Sequence, residues 1–236
     1  MYVDWIIKTK KRLINRNDEE KKFLKLMIPV KKSARILDVG CGYGRNMRLL
    51  KRAGYKNVVG VDKNNKIIKE NIKKGLNCVE VDKFLNRDSK ELYDCIIMSH
   101  IIEHFEYNDL KKFMECYLKY LKRGGYLIII TPLYTKSFYD DFDHVKPYSI
   151  VGFNMVFGNK NSQVQFYSDF TLTLEDMYFR RGPYEIKFSR QLYIPNKNLI
   201  LWSVINLINI VFVVLYKYSN TFIGNNTGWL ARYRKE

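Results

Sequence analysis

The sequence predicts an α/β fold: a doubly wound, mostly parallel sheet with helices on both faces. Three observations predict it. Short apolar runs alternate with amphipathic stretches from Arg35 to Thr131, the pattern of strands joined by crossover helices. The runs are apolar nearly throughout, as in strands covered on both sides. The chain has 236 residues, 47% of them hydrophobic, enough for one sizeable core and too many for a disordered chain.

The elements follow in order. Residues 1 to 28 read as one or two helices, with Trp5, Ile6, Leu13, Phe23, Leu24 and Met27 as an apolar stripe among lysines and arginines, ended by Pro29. Arg35 to Val39 is a first strand, 45 to 53 a helix stopped by Gly54, and Asn57 to Val61 a second strand. A basic helix over 64 to 74 has Gly75 at its C-cap. Leu76 to Val81 is a third strand and Tyr93 to Ser99 a fourth. A long helix over 107 to 122 closes at Gly124-Gly125, and Tyr126 to Thr131 is a fifth strand ended by Pro132.

Residues 133 to 170 break the pattern. They are rich in Tyr, Phe, Asp and Asn and contain His144, and they read as an insertion over the ligand face. Residues 171 to 194 read as helix then strand, turning at Gly182-Pro183, and Leu199 to Tyr216 is an uncharged apolar run before a polar, basic tail. The expected organisation is an N-terminal helical segment (1–30), an α/β domain (31–195) and an apolar helix with a basic tail (196–236).

Lys and Arg number 41 against 24 Asp and Glu, a formal charge of +17. This favours anionic partners such as nucleic acid, an acidic membrane surface or phosphorylated substrates, and also fits a general Lys, Ile and Asn bias. Cys41, Cys78, Cys95 and Cys116 form no C-x-x-C pair, and the N-terminus lacks the apolar run of a signal peptide. Both point to reduced thiols in a cytoplasmic compartment.

Open α/β sheets bind ligands beyond the carboxyl ends of their strands. The first such loop reads Asp38-Val39-Gly40-Cys41-Gly42-Tyr43-Gly44. Glycines there let the backbone turn sharply and approach a ligand closely. A dinucleotide fingerprint would need a glycine at position 45, where Arg45 stands. An acid beside the glycines suits a cationic cofactor better than a pyrophosphate.

The stretch ILDVGCGYGRNMRLL resembles the first motif of class I S-adenosylmethionine-dependent methyltransferases. Val58-Val59-Gly60-Val61-Asp62 resembles their second-strand motif and Val79-Glu80-Val81-Asp82 the third. Tyr93 to Ser99 resembles the fourth, and Leu121-Lys122-Arg123-Gly124-Gly125-Tyr126-Leu127 the segment before strand five. The resemblance covers roughly residues 33 to 132 and implies a Rossmann-like fold with S-adenosylmethionine as cofactor. It implies cofactor contacts from Asp38, Gly40, Cys41, Gly42, Tyr43 and Gly44, from Asp62 on the ribose diol with Lys63 beside it, from Asp82 towards the adenine amine with Lys83, and from Met98 and Ser99.

His100, His104 and His144 are the chain's three histidines, and the first two follow strand four in Ser99-His100-Ile101-Ile102-Glu103-His104-Phe105. Three readings stand. One histidine is a general base for an acceptor hydroxyl. Alternatively, His100, Glu103, His104 and His144 hold a divalent metal (Mg, Mn or Zn), since positions 100 and 104 share a face if the segment is helical. Or the set is structural. The segment is similar to the E-x-x-E-H of ubiquinone-biosynthesis O-methyltransferases and of small-RNA 3′-end methyltransferases, with His100 where those have Glu.

As a helix the apolar run would be about 27 Å long, the short limit for a bilayer. Lys197 and Lys217 bracket it, and Ser203, Asn206 and Asn209 make a polar stripe. It reads as lying in a membrane surface, packed in the fold or a homodimer, or spanning. The expected function is O-methylation of a small or lipid-linked acceptor, of glycan or quinone type, on the cytoplasmic face of an anionic membrane. The alternatives are an RNA methyltransferase and a non-catalytic cofactor-binding partner subunit.

Overall fold

The computed structural model describes residues 17–87, 92–158, 163–187, 189–194 and 197–236. The predicted helical stripe at Trp5, Ile6 and Leu13 lies outside them. The chain divides into two compact units, one of Lys22–Tyr178 with Gly228–Glu236, the other of Met1–Lys21 with Phe179–Thr227.

The larger unit carries the parallel sheet. Its strands are β1 (Arg35–Val39), β2 (Asn57–Asp62), β3 (Cys78–Glu80), β4 (Tyr93–Ser99) and β5 (Leu121–Pro132). β6 (Leu172–Gly182) and β7 (Asn225–Lys235) complete a seven-stranded sheet of order β3-β2-β1-β4-β5-β7-β6. β1 pairs in parallel with both β2 and β4, and β7 runs antiparallel to β5. The winding reverses between β1 and β4, so the switch-point crevice opens at Val39 and Ser99.

Successive strand residues face opposite ways, and the core divides accordingly. Leu37, Val39, Ile96, Met98, Leu127 and Ile129 join one apolar cluster. Ile36, Cys95, Ile97, Ile128 and Ile130 join another. The first is covered by Phe84, by Leu110, Met114, Tyr117 and Leu118 of the long helix after β4, and by Phe153 and Phe157. The second is covered by Phe23, Leu26, Leu49 and Leu50.

The helices are α1 (Asn17–Leu26), α2 (Arg45–Arg52), α3 (Asn65–Lys73), α4 (Val81–Leu85), α5 (Tyr107–Leu118), α6 (Ile150–Phe157), α7 (Arg190–Tyr193) and α8 (Leu199–Tyr218). α1 opens on Asp18, Glu19 and Glu20, acids at the positive end of its dipole. Asn64 caps α3 by accepting from the amides of Lys66 and Ile67.

Several expectations are corrected. α5 ends at Leu118, and Leu121 already pairs with Tyr93. Gly124-Gly125 form an irregularity inside β5 that lets Cys95 meet Tyr126, instead of ending a helix. The third strand is only Cys78–Glu80, and Asp82 sits in the first turn of α4. Residues 172 to 182 are strand, not helix: Leu172 and Leu174 alternate with exposed residues. The polar, basic tail is β7, whose Trp229, Leu230, Ala231 and Tyr233 are fully buried. Its arginines are partnered across the sheet, Arg232 with Glu175 at 3.1 Å and Arg234 with Glu175 at 3.9 Å.

In the smaller unit, α8 buries Trp202, Ile205, Asn206, Asn209 and Val213. Asn209 accepts from the Ile186 amide at 2.8 Å and donates to the Ile186 carbonyl at 3.2 Å. Glu19 and Arg180 pair at 2.9 Å.

Candidate active site

The loop after β1 folds as its glycines require. Gly40 and Gly44 sit at φ 68° and 71°, in the left-handed region open to glycine. A Cβ on Gly40 would also lie 2.5 Å from Ile101 Cδ1, so the loop can approach the segment after β4 only without a side chain there. The Gly40 and Cys41 amides donate to the Val61 carbonyl, and the Gly42 amide donates to Asp62 Oδ2 at 2.8 Å. Asn71, buried on α3, donates to the Gly42 carbonyl at 2.7 Å. Asp62 Oδ1 accepts from the Asn64 amide at 2.9 Å. Each Asp62 oxygen keeps a further lone pair for an outside donor.

Asp38 is 1% exposed. Neither of its carboxylate oxygens has a partner in hydrogen-bond geometry. Burial pushes its carboxyl up to about 7 from 3.8, opposed in part by the nearby Asn46 side chain and reinforced by the Asp62 charge. Burial without a partner thus favours the neutral carboxyl, and a cation beside it would favour the carboxylate.

The loop opens on a cavity of about 690 Å³. Gly40, Asp62 and Lys63 line it, with Val81 and Leu85 of α4, His100, Ile101, His104 and Phe105 after β4, the α5 face of Lys112, Phe113, Cys116 and Tyr117, and Asp143 of the insertion. A volume of this size fits a cofactor-sized ligand.

After β4 the chain turns sharply. His100 takes φ 54°, unusual for a residue with a side chain, while its amide donates to the Ile130 carbonyl at 2.7 Å. His104 Nδ1–H donates to the Asp143 carbonyl at 2.7 Å, and His144 Nδ1–H to the Phe138 carbonyl at 2.7 Å. Those bonds leave each Nε2 as the basic nitrogen. The two rings lie 5.3 Å apart. Glu103 is fully buried: its Oε2 accepts from Thr131 Oγ1 at 3.0 Å, and its Oε1 lies 3.3 Å from His100 Nδ1 without hydrogen-bond geometry. Among the described residues, Glu103, His104 and His144 bring ligand atoms within 4.8 Å of one another. His100 is outside that group. The reason is backbone: Ile102–His104 is a single 3-10 turn, not an α-helix, so positions 100 and 104 do not stack on one face.

The family model described as a methyltransferase domain matches residues 10–175. The chain belongs to the methyltransferase-domain family. In sequence it is similar to the mitochondrial ubiquinone biosynthesis O-methyltransferase of Rattus norvegicus, 33% identical over 111 residues, and to that of Dictyostelium discoideum, 33% identical over 112. Each match covers 41% of this chain and 30% or 34% of the relative, so the chain spans about a third of the length of these curated relatives. In structure it is similar to a SAM-dependent methyltransferase from Archaeoglobus fulgidus, TM-score 0.56, 21% identity, over 95% of this chain and 97% of that one. It is also similar to the N-methyltransferase NodS from Bradyrhizobium japonicum in complex with S-adenosyl-L-homocysteine, TM-score 0.57, 14% identity, over 96% of each chain. These likenesses show the class I fold.

The Archaeoglobus fulgidus neighbour is S-adenosylmethionine-dependent. The residues present fit that cofactor: Asp62 lines the cavity with lone pairs for a diol, and the buried Asp38 carboxyl, without a hydrogen-bond partner, stands directly before the cavity-lining Val39 and Gly40. Of the other positions read from sequence, Cys41 is buried against Cys78, Tyr43 is exposed at the loop tip, and Ser99 ends β4. Of the positions read from sequence, Gly40, Asp62, Lys63, His100 and His104 line the cavity, while Asp38, Cys41, Gly42, Tyr43, Gly44, Asp82, Lys83, Met98, Ser99 and His144 are not in its lining. Lys83 has a side chain 78% exposed and pairs with Glu80 at 3.9 Å, and Met98 packs in the core.

Sequence reading missed the α5 wall. Phe113, Cys116 and Tyr117 recur at helical spacing and were legible as one apolar face, but that face continues directly into core positions Met114 and Leu118. Nothing local marks where core ends and cavity begins.

Proposed function

We propose that the methyltransferase O-methylates a small or lipid-linked hydroxyl compound at a membrane surface. The observation that carries the acceptor chemistry is His104, which lines the cavity shared with Gly40 and Asp62 while its Nδ1–H is held by the Asp143 carbonyl. A neutral imidazole fixed in that tautomer accepts a proton through Nε2. The bound sulfonium supplies the methyl group, which passes to the acceptor oxygen as the sulfur–methyl bond breaks. The chain's part is to hold the two reactants in line, to accept the hydroxyl proton at His104, and to keep water out with Phe105 and Phe113, which stack at 4.4 Å.

Glu103, His104 and His144 also fit a divalent cation. Both imidazoles are oriented by backbone carbonyls, as metal-binding histidines usually are, and Glu103 Oε1 is buried without a hydrogen bond. A cation there would lower the pKa of an acceptor hydroxyl. Calorimetric titration of metal-free protein with Mn, Mg and Zn tests this, and the absence of heat from all three removes it.

The membrane part rests on α8. Asn206 and Asn209 of the polar stripe are buried within their own unit. The outward face is therefore apolar, with Ile200 80% exposed and Val204, Leu207, Val211 and Leu215 also exposed. An apolar face of that length on a helix packed along its other side suits a helix lying in a membrane surface more than one spanning it.

The experiment is incubation with labelled S-adenosylmethionine and three substrate pools: catechol-type and other hydroxylated small molecules, a lipid extract, and RNA. Label entering hydroxyl compounds or lipid, and lost with His104→Gln, is the expected result. Label entering RNA alone favours the RNA reading, and cofactor binding without turnover favours the partner-subunit reading.

A further inference from the structure

A second cavity lies beside the first and has no part in the chemistry above. Its volume is about 360 Å³, within the range that holds small organic ligands. The two cavities share no lining residue, yet neighbouring positions line them. Phe105 and Phe113 face one, while Tyr107 and Leu110 face the other; Asp143 faces one, while Lys146 faces the other. The partition is the strap of residues 143 to 148, tied to the histidine segment where the Val145 and Lys146 amides donate to the Glu103 carbonyl and the Tyr148 hydroxyl donates to the Phe105 carbonyl.

The second cavity is built into the fold. Phe153 and Phe157 of α6 stack at 4.5 Å and belong to the main core. β7 fixes the surrounding backbone from beneath: Trp229 Nε1 donates to the Tyr148 carbonyl at 2.7 Å, and the Tyr233 hydroxyl donates to Asn154 Oδ1 at 2.9 Å. Tyr107 and Phe166 stack at 5.8 Å with an interplanar angle of 11°. Among the described residues the lining holds one charge, Lys146, and no carboxylate. Its ammonium lies 5.1 Å and 5.8 Å from the Tyr107 and Tyr148 rings. An apolar slot with a single cation recognises an amphiphile: a hydrocarbon chain bearing a carboxylate or phosphate.

The geometry points to the cavity between α5, α6 and the 143–148 strap as a binding site for the hydrocarbon chain of an anionic amphiphile, with Lys146 holding its acidic group. Taking this amphiphile to be the methyl acceptor rests on the acceptor reading above; the binding site itself does not. It lies next to the histidines, so a chain seated there would bring an attached hydroxylated head towards His104.

Calorimetry of the full-length protein with octyl, decyl and dodecyl phosphates, decanoate and decanol tests the site. Each buried methylene strengthens apolar binding by about 0.8 kcal/mol, roughly fourfold. Affinity should rise steeply with chain length until the slot is full, and it should exceed that of decanol when an acidic group is present. Val156→Trp fills the slot and should weaken decyl phosphate binding at least about tenfold while leaving S-adenosylhomocysteine binding unchanged. If that variant does not fold, Gly152→Val narrows the slot from the same helix. Lys146→Met should weaken decyl phosphate and decanoate and leave decanol unaffected. Affinity independent of chain length, or undiminished in both filling variants, overturns the site. A wild-type protein that binds decyl phosphate in this way but methylates no hydroxyl compound keeps the site and overturns the acceptor reading.

Discussion

Replacing Asp38 with asparagine keeps the shape of the side chain and removes its charge. In the protein without cofactor this carboxyl is buried and raised to about 7 from 3.8. The native state therefore holds a proton that the unfolded chain gives up between pH 4 and 7, and stability falls as pH rises through that window. At 1.36 kcal/mol per pH unit, the ionised carboxylate costs about 4 kcal/mol above pH 7. The amide of the D38N variant does not titrate and has no such slope. For a chain of this size, 4 kcal/mol corresponds to a melting-temperature difference of about 10 °C. The cofactor-free D38N variant should melt close to wild type at pH 4.5 and about 10 °C above it at pH 8. The cofactor reverses the order. A sulfonium and ammonium beside an ionised Asp38 offset the burial cost, so S-adenosylmethionine should stabilise wild type strongly at pH 8 and D38N little. Calorimetric titration at pH 7 in buffers of differing ionisation enthalpy should also show proton release from wild type on binding and none from D38N. Differential scanning fluorimetry across pH, with and without cofactor, reads the first two effects. A D38N variant less stable than wild type at pH 8, or bound equally well by cofactor, refutes the reasoning.

Gly40→Ala should reduce cofactor affinity about tenfold or more by equilibrium dialysis, because the new Cβ meets Ile101 Cδ1 at 2.5 Å and occupies φ 68°. His104→Gln should lower kcat on the hydroxyl acceptor by about 10²- to 10⁴-fold with cofactor affinity unchanged; steady-state kinetics with the labelled cofactor measures both. Cys41 and Cys78 place their sulfurs 4.0 Å apart beneath the cofactor loop. Treatment with diamide should cross-link them and abolish S-adenosylhomocysteine binding in wild type but not in Cys78→Ser, with mass spectrometry identifying the linked peptides. Leu207→Glu with Val211→Glu on the outward face of α8 should abolish co-sedimentation with anionic liposomes and leave cofactor binding intact; unchanged pelleting removes the membrane reading.

The cofactor half of the site was legible because its signals are local. Asp38, Gly40, Gly42, Gly44 and Asp62 sit at strand ends within one β-α-β stretch, where backbone conformation and pairing are decided by near neighbours. The acceptor half was not, because its geometry is set by residues far apart in sequence. His104 is oriented by the Asp143 carbonyl, 39 residues on. His144 reaches it through a strap whose Tyr148 carbonyl is fixed by Trp229, 81 residues further.

β7 shows why that distance matters. Read alone, Gly228 to Lys235 has three charged residues among its eight and looks like a solvated tail. Its two arginines are met by β6, whose Glu175 and Asp176 face Arg232 at 3.1 Å and 3.9 Å, and Lys235 donates to the Leu118 and Leu121 carbonyls. Each segment therefore looked wrong for a strand for want of the other: β6 read as the start of a helix, β7 as a polar, basic tail. Pairing neutralises both and lets Trp229 and Tyr233 enter the core, where they hold Tyr148 and Asn154. The acceptor side is thus assembled last along the chain. A substitution in β7 such as Trp229→Phe, which keeps the ring packing but loses the 2.7 Å bond to Tyr148, should loosen the strap before it unfolds the sheet. Methyl transfer should then fall while cofactor affinity holds. Equal loss of both would mean that the two halves of the site are not built separately.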